Sequence, residues 1–475
     1  MKNCRKILSV FFILLAAVIS TMAQGYYTKK LYSESSRKND EVAPVMLGKK
    51  MVYCSNRPIP GPISYTNAAL KPFFKIVESE VDSTKDGKGK PQKLFAESLK
   101  TNFHDGPVSF NESGDYMVLT RCFDEKTNKQ TPSNFGLYFA DKENEVWGNI
   151  QEFPFNDREA NTIQPSFNSD ASTLYFSSNR AGGFGGYDLY VSRFKNGAWQ
   201  TPENLGPRIN TAENEIYPFL HSTGRLYFSS EGHDNKAGGY DLFYSEFYNG
   251  QWINPIKLPS PFNSSSNDYT FYIDKDFQKG LYTSSSRGSK DIYTFKSTIP
   301  NFEVTQEQRL NNYCFVFFEE NTMELDTNMY LFEWSLGDKS KVRAMEAKHC
   351  YAVSGNYTVS LNIIDKLTKE VLFNQAEYEL NIERIVQAFI TCPDTIAVNE
   401  DIQFSGTESY FKDVNPGEYY WDFGDGSKAI GASARHTYRV PGKYIVKLGV
   451  IEDNPNVKVV PREFCSYKTI VVTEN

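Results

Sequence analysis

Apolar and aromatic residues recur along this chain in short runs, separated by turns rich in Gly, Asn, Asp and Ser. Two runs share the sequence Leu-Tyr-Phe-Ser-Ser, at 174–178 and at 226–230, and each is followed by Gly-Tyr-Asp-Leu. Short aromatic runs that are bounded by turn residues are typical of β-strands. Long apolar stripes with helical spacing are missing, so the pattern predicts an all-β protein.

The two copies recur with a nearly constant period. Pro165 and Pro218 are 53 residues apart, and so are Asp188 and Asp241. A period of about this size indicates a supersecondary unit that is repeated in a stacked or radial array. Four short strands per unit suit the blade of a β-propeller, in which each sheet buries its faces against its neighbours.

Three further units carry the same pattern in less regular form. Their second strands are expected at 51–55, 116–121 and 281–285. The last unit stops at Phe295, one strand short, whereas 27–31 looks like the final strand of a unit and has no unit of its own. Pairing these two segments would close a ring and leave no exposed sheet edge. We therefore expect a five-bladed β-propeller at 25–298 that is closed by its N-terminal strand.

The best-preserved unit combines three motifs. They are Pro-Ser-Phe at 165–167, Leu-Tyr-Phe-Ser-Ser-Asn-Arg at 174–180 and Gly-Gly-Tyr-Asp-Leu-Tyr at 185–190. Together they resemble the TolB-type, WD40-like β-propeller repeat of bacterial envelope proteins. The match is strongest in the third and fourth units and weakest in the first two.

The composition changes after residue 301. The last part of the chain contains Trp-Asp-Phe-Gly-Asp-Gly at 421–426, His-Thr-Tyr at 436–438 and Pro-Gly-Lys-Tyr at 441–444. Alternating strands, a core tryptophan and these turns predict an immunoglobulin-like β-sandwich. The motif also resembles the polycystic-kidney-disease (PKD) domain, and a degenerate copy starts with Phe-Glu-Trp-Ser-Leu-Gly-Asp at 332–338. We expect two tandem PKD-type sandwiches, 302–385 and 386–475.

The N-terminus has the features of a secretory signal. Three basic residues precede an apolar core at 7–19, and small residues follow at 21–23. This order is typical of a signal peptide, here residues 1–24, and thirteen apolar residues are too few to span a bilayer. Its removal would change the formal net charge from −7 to −10. We expect an exported chain with no membrane span and, because it is acidic, no nucleic-acid partner.

Six cysteines remain after the signal, and an even number in an exported chain permits disulfides. Cys392 and Cys465 fall near the first and last strands of the second sandwich, which can be neighbours, so we expect them to pair. Cys314 with Cys350 is the next candidate pair. The spacing of the cysteines is not that of a metal site, and we expect neither a metal nor another cofactor.

A search for catalytic signatures finds no Gly-x-Ser-x-Gly, no His-Glu-x-x-His and no phosphate loop. Asp422 and Asp425 are paired carboxylates that could bind calcium, but Asp and Gly also build tight turns, which is the interpretation we favour. His349 and His436 occupy matching places in the two sandwich motifs, which favours a structural role. The sequence therefore predicts that the chain is not an enzyme.

Charged residues follow the second strand of each unit and must ring one face of the propeller. They are Arg57, Arg121, Arg180, Glu231 and Arg287. The ring could bind an anionic group of a partner, with Phe184 of the loop at 181–186 as an apolar anchor. Alternatively, each arginine braces its own blade against an acid such as Asp188 or Asp291, and this second interpretation is favoured.

The favoured function is an exported, non-enzymatic binding or scaffold protein of the bacterial cell envelope. Propellers joined to PKD-type modules resemble accessory components of the type IX secretion and gliding machinery. This resemblance implies protein partners in the periplasm or at the outer membrane, and the same localisation for the chain. The alternatives are a surface adhesin or glycan-binding protein, at the cell surface or secreted, and, ranked last, a propeller enzyme that acts on polysaccharide.

Overall fold

A computed structural model describes most of the chain. The described residues are 26–32, 35, 38–58, 72–80, 92–123, 134–302, 304–318, 327–454 and 459–474. The regular structure is β-sheet, with one 3-10 turn at Glu97–Leu99. The chain divides into two compact units, Met1–Asn301 and Phe302–Asn475. The signal peptide that the sequence predicts at 1–24 lies outside the described residues.

Within the described residues, the first unit contains strand β1, five antiparallel sheets and a hairpin. Strand β1 is Tyr27–Leu31. The first sheet comprises β2 (Glu41–Leu47), β3 (Lys50–Ser55), β4 (Lys75–Glu80) and β5 (Lys93–Leu94). The second comprises β6 (Asp105–Phe110), β7 (Tyr116–Cys122), β8 (Phe135–Glu143) and β9 (Val146–Glu152). The third comprises β10 (Thr162–Phe167), β11 (Thr173–Ser178), β12 (Asp188–Lys195), β13 (Ala198–Trp199) and β14 (Glu203–Asn204).

The fourth sheet and the hairpin alternate along the chain. Their strands are β15 (Glu215–Leu220), β16 (Leu226–Ser230), β17 (Asp241–Ser245), the hairpin β18 (Phe247–Tyr248) and β19 (Gln251–Trp252), and β20 (Ile256–Lys257). The fifth sheet comprises β21 (Asp268–Ile273), β22 (Lys279–Ser284) and β23 (Asp291–Ser297). The chain is therefore all-β, and its first unit has a propeller-like order of consecutive antiparallel sheets.

Strand β1 belongs to the fifth sheet although it begins the described chain. It pairs antiparallel with β23, with Tyr27 opposite Ser297 and Leu31 opposite Tyr293. The next residue, Tyr32, is fully buried, and its hydroxyl donates to Oγ of Ser79 in β4 at 2.6 Å. One short segment therefore contacts both the last sheet and the first.

The first strands of the five sheets share a β-bulge near their beginning. In four of them a residue with positive φ lies in the bulge and precedes a proline; these residues are Ala43, Gly106, Gln164 and Tyr217. A bulge leaves a backbone N–H outside the ladder, so proline fits there. All five strands line one cavity of about 50 Å³, which has room for only a few water molecules.

Aromatic rings fill the space between successive sheets. The ring of Phe139 in the second sheet lies parallel to Trp199 in the third, with centroids 5.3 Å apart. The ring of Tyr227 in the fourth lies 4.7 Å from that of Phe271 in the fifth. Large aromatic side chains bury the most apolar area per residue, which explains why this unit uses so many of them.

The second unit contains two groups of sheets. The first group comprises β25 (Cys314–Phe318), β26 (Tyr330–Ser335), β27 (Lys341–Arg343), β28 (Glu346–Cys350), β29 (Gly355–Asp365) and β30 (Val371–Ile382). The second comprises β24 (Gln306–Glu307), β31 (Thr395–Ala397), β32 (Ile402–Ser405), β33 (Pro416–Asp422), β34 (Lys428–Ile430), β35 (Ser433–His436), β36 (Gly442–Glu452) and β37 (Glu463–Thr473). Each group contains a buried tyrosine whose hydroxyl bonds to the backbone. Tyr351 donates to the carbonyl of Leu336, and Tyr438 donates to that of Phe423.

The acids of the sandwich turns bond within the turns. Oδ1 of Asp422 accepts the N–H of Gly424 at 3.0 Å, and Oδ1 of Asp425 accepts that of Ser427 at 2.9 Å. Oδ2 of Asp425 also lies 3.0 Å from Nε2 of His436. These contacts agree with a role in the turn. In the described part of the chain, no cluster of three or more His, Cys, Asp or Glu residues could hold a metal ion.

The expected Cys392–Cys465 disulfide is wrong: both cysteines are free, whereas Cys314 and Cys350 are joined. Strand β31 runs parallel to β37 with Thr395 opposite Val471, and this register places Cys392 near position 468. Three residues of strand separate that position from Cys465, about 10 Å. A disulfide needs Cα atoms within about 7 Å.

The position of β1 yields a first prediction. Deleting residues 25–32 should lower the melting temperature of the first unit, because the deletion exposes the edge of β23 and empties the site of Tyr32. Hydrogen exchange should show faster exchange at the amides of β23. The double substitution Thr28→Ala, Lys30→Ala is the control, since both side chains are exposed and the strand remains. If the deletion leaves melting and exchange unchanged, β1 does not stabilise this unit.

Candidate functional site

The antiparallel order of each sheet in the first unit places three strand ends on the same side. The first strand begins there, the second ends there and the third begins there. We call this side the front face. It carries all the loops in which the sequence predicts charged site residues.

Buried acids stand where the first strands begin. They are Glu41, Asp105, Glu215 and Asp268, with Thr162 at the same place in the third sheet. Glu215 accepts the N–H of Thr211 at 2.7 Å, and Asp268 accepts that of Ser264 at 2.7 Å. Burial raises the pKa of Glu215 and of Asp268. These carboxyl groups therefore hold the preceding loops in place and are closed to solvent.

A side chain just before each of these positions bonds to the neighbouring sheet. Five such side chains each accept a backbone N–H at the beginning of a third strand. The acceptors are Asp40, His104, Asn161, Asn214 and Asn267, and their donors are, in the same order, Lys290, Phe74, Phe135, Tyr187 and Tyr240. The five distances are 2.9 to 3.0 Å. We call these five contacts the inter-sheet clasps. The clasp of Asp40 joins the fifth sheet to the first.

Three predicted arginines bond within their own region of the front face. A nitrogen of Arg57 lies 3.3 Å from Oε1 of Glu41. The guanidinium of Arg121 is buried 3.8 Å from Asp105 and also donates to the carbonyl of Leu99. Arg180 donates to Oγ1 of Thr162 at 3.1 Å and to the carbonyl of Phe155 at 3.2 Å.

The other predicted site residues lie nearer to solvent. Nε of Arg287 lies 3.8 Å from Asp291, and the ring of Phe184 is half exposed. Oε2 of Glu231 accepts from the amide of Asn214 at 2.7 Å. The contacts of the arginines are those expected of bracing residues. A role of these residues in partner binding stays a prediction.

Three tyrosines that the sequence analysis did not select form a cluster on the front face. The ring centroid of Tyr269 lies 5.4 Å from that of Tyr240 and 6.4 Å from that of Tyr217. We call these three residues the tyrosine mouth. Tyr217 precedes a proline of the repeat and has φ of 54°, an unusual conformation for a bulky residue. In the sequence, this Tyr-Pro pair is the signal that could have identified Tyr217 as a candidate site residue.

Two carboxylates flank the tyrosine mouth. Burial raises the pKa of Tyr269, and the charges of Asp40 and Glu231 raise it further. Burial and the neighbouring Glu231 also raise the pKa of Tyr240. Neither Asp40 nor Glu231 is fully buried. Tyr269 itself is buried, with 8% of its surface exposed, whereas Tyr217 and Tyr240 are partly exposed. The front face thus combines tyrosine side chains with two partly exposed carboxylates.

A family model described as "PKD domain" matches residues 297–370 and 386–459. Collagenase ColA of Clostridium perfringens is 38% identical over 79 residues, which are 17% of this chain and 7% of ColA. The chain therefore spans only a small part of the length of that relative. The PKD domains and this likeness indicate an extracellular or surface protein. Among the described residues, no helix has the length and apolar character required to cross a bilayer.

Three solved structures illustrate what the fold is similar to. A protein titled "Glycoside hydrolase" has a TM-score of 0.39 at 10% identity, over 61% of this chain and 96% of that chain. An α-L-arabinofuranosidase from Lactobacillus brevis has a TM-score of 0.35 at 9% identity, over 55% and 91%. A TolB protein from Agrobacterium tumefaciens has a TM-score of 0.31 at 10% identity, over 71% and 82%. These likenesses concern the propeller-like fold alone.

The comparisons correct the expected function. The sequence predicted a non-enzymatic binding or scaffold protein, but glycoside hydrolases recur among the similar solved structures, and the prediction "not an enzyme" is withdrawn. That prediction was based on missing contiguous motifs. Glycoside hydrolysis requires only two carboxyl groups, which can lie on different sheets and leave no local motif. The link to type IX secretion stays a prediction.

The clasp of Asp40 yields a second prediction. Asp40→Ala should lower the free energy of unfolding of the first unit by about 1–3 kcal/mol, because the partly buried N–H of Lys290 loses its acceptor. Asp40→Asn should change it little, since asparagine fills this position in three other clasps. Urea unfolding of the mature chain, followed by tryptophan fluorescence, measures both. Equal stability of the two variants would contradict the clasp.

The contacts of the arginines yield a third prediction. Arg121→Ala should destabilise the first unit by about 3–5 kcal/mol, because it leaves Asp105 without one of its buried cations. Phe184→Ala should leave stability unchanged, since that ring is half exposed. The same unfolding measurement compares the two variants. A stable Arg121→Ala variant would show that this arginine does not brace the sheet.

Proposed function

We propose that the first unit takes up polysaccharide at the tyrosine mouth and hydrolyses it, with Asp40 and Glu231 as the pair of carboxyl groups. The observation that carries the proposal is that two partly exposed acids stand near the tyrosine cluster. Asp40 accepts the N–H of Lys290, whose Nζ lies 4.4 Å from the ring centroid of Tyr269, and Glu231 accepts from the amide of Asn214. The PKD domains would then serve as spacer or docking modules. We place the protein at the cell surface or outside the cell, where such polymers are found.

The tyrosine mouth offers the contacts that a sugar needs. One face of a pyranose ring is apolar and packs on an aromatic ring, while its hydroxyl groups require hydrogen-bond partners. Tyr217 and Tyr240 are partly exposed and would supply the ring surface, while the buried Tyr269 supports them from within the cluster. The amides of Asn214 and Asn267 lie beside them, the latter 3.1 Å from the hydroxyl of Tyr269.

The two carboxyl groups would have different catalytic roles, one as general acid and the other as general base. One, protonated, donates its proton to the oxygen of the leaving sugar as the glycosidic C–O bond breaks. The other, ionised, accepts a proton from the water whose oxygen forms the new C–O bond. Asp40 precedes the first strand of the first sheet and Glu231 follows the second strand of the fourth, so the pair would be assembled from different sheets.

Glycan binding without cleavage is the second candidate. Both carboxylates are engaged in the fold, Asp40 with the N–H of Lys290 at 2.9 Å and Glu231 with Asn214 at 2.7 Å. Such acceptors also suit the hydroxyl groups of a bound sugar. This engagement is what favours binding alone.

We also propose that the five sheets are the blades of a propeller ring that β1 closes. The pairing of β1 with β23, the clasp between Asp40 and Lys290 and the common cavity support this arrangement. A closed ring would hold the mouth rigid, because every sheet is fixed on both sides.

A panel of polysaccharides tests the proposal. The mature chain should release reducing ends from at least one polymer, and Asp40→Asn and Glu231→Gln should each lower kcat by about 10²–10⁴-fold. Asp40→Asn keeps the clasp acceptor, so the loss would report chemistry and not unfolding. Glu145→Gln, at an exposed acid outside the mouth, is the matched control and should be fully active.

Three outcomes separate the candidates. Full activity of both carboxyl variants would contradict the assignment of the pair. Binding without release of reducing ends would replace hydrolysis by the glycan-binding candidate. Neither binding nor cleavage of any polymer would overturn the proposal.

A further inference from the structure

One clasp position breaks the pattern of the repeat. The residue that donates its N–H at the beginning of the third strand is Phe74, Phe135, Tyr187 and Tyr240 in the first four sheets. In the fifth sheet it is Lys290. Its backbone makes the same clasp as the others, so the backbone does not require the exchange of an aromatic ring for an ammonium group.

The ammonium group of Lys290 lies over the tyrosine mouth. Nζ is 4.4 Å from the ring centroid of Tyr269, a cation–π contact that fixes its position. Tyr269 is thus in contact with both Lys290 and the ring of Tyr240. A sugar that packs at this mouth would meet the ammonium group.

Lys290 is a partly buried cation. Among the described residues, its ammonium group makes neither a salt bridge nor a hydrogen bond, and the cation–π contact with Tyr269 is its recorded contact. Burial lowers the pKa of Lys290, and the charge of Asp40 opposes this only in part. Partial burial of a charge that makes no salt bridge is unfavourable, and a bound anion would offset this cost.

We propose that Lys290 binds the carboxylate of a uronic acid, so that the preferred polymer at the tyrosine mouth is an acidic polysaccharide. This inference rests on the proposed function, because it names the substrate class of the same site. Lysine suits the task as a compact point charge on a flexible stem. A sulfate ester carries the same charge, and the experiment below separates the two sources.

Binding is measured by calorimetry on the mature chain with two matched polymers, polygalacturonate and its fully methyl-esterified, neutral form. The wild type should bind the acidic polymer at least about tenfold more tightly than the ester. Lys290→Met should remove most of that difference while its affinity for the ester stays unchanged. Lys290→Arg, which keeps the charge, should retain it. Lys290→Tyr, which installs the residue of the fourth sheet, guards against a folding defect of the methionine variant.

The outcomes distinguish failure of the inference about Lys290 from failure of the proposed function. Equal affinity of the wild type for both polymers, or an undiminished preference in folded Lys290→Met, would overturn the role of Lys290 and leave the proposed function standing. Binding of dextran sulfate that depends on Lys290, without binding of polygalacturonate, would assign the anion to sulfate and overturn the uronic acid. No binding of any polysaccharide, neutral or acidic, would overturn both proposals.

Discussion

The first unit depends on the inter-sheet clasps. In each clasp, a side chain just before the first strand of one sheet accepts a backbone N–H at the beginning of the third strand of a neighbouring sheet. Because the N–H belongs to the backbone, its donor can be Phe, Tyr or Lys without loss of the contact. The acceptor, by contrast, must be a short polar side chain, and Asn, Asp and His fill that place. The clasp thus fixes the geometry of each junction and leaves the donor's side chain free to vary.

That freedom explains how a repeat can carry a single asymmetric site. The clasps and buried acids hold the scaffold together, so the side chains of the donor residues can vary. In the fourth and fifth sheets these positions hold Tyr240 and Lys290, and they meet Tyr269. Function therefore concentrates where the repeat departs from its own pattern, a device that rigid repeat scaffolds permit.

The sequence predicted the all-β class, the strand repeat and the PKD-type motifs, because strand periodicity and turn residues are local signals. It wrongly predicted a disulfide in the second sandwich, because the parallel register of β31 on β37 is a tertiary feature that keeps Cys392 and Cys465 apart. It selected the arginines for their charge, yet Arg121 and Arg180 bond inward. It missed Tyr240, Tyr269 and Asp40, because only folding brings residues from separate sheets together.

The central claim is that sugars bind at the tyrosine mouth. Nuclear magnetic resonance of the mature chain with labelled tyrosine rings, titrated with oligosaccharides from a polymer that the protein binds, tests it most directly. Replacement of single tyrosines by phenylalanine assigns the signals. The account predicts that the ring signals of Tyr217, Tyr240 and Tyr269 shift together and saturate at one affinity. Shifts confined to tyrosines of the second unit, such as Tyr378, would contradict it.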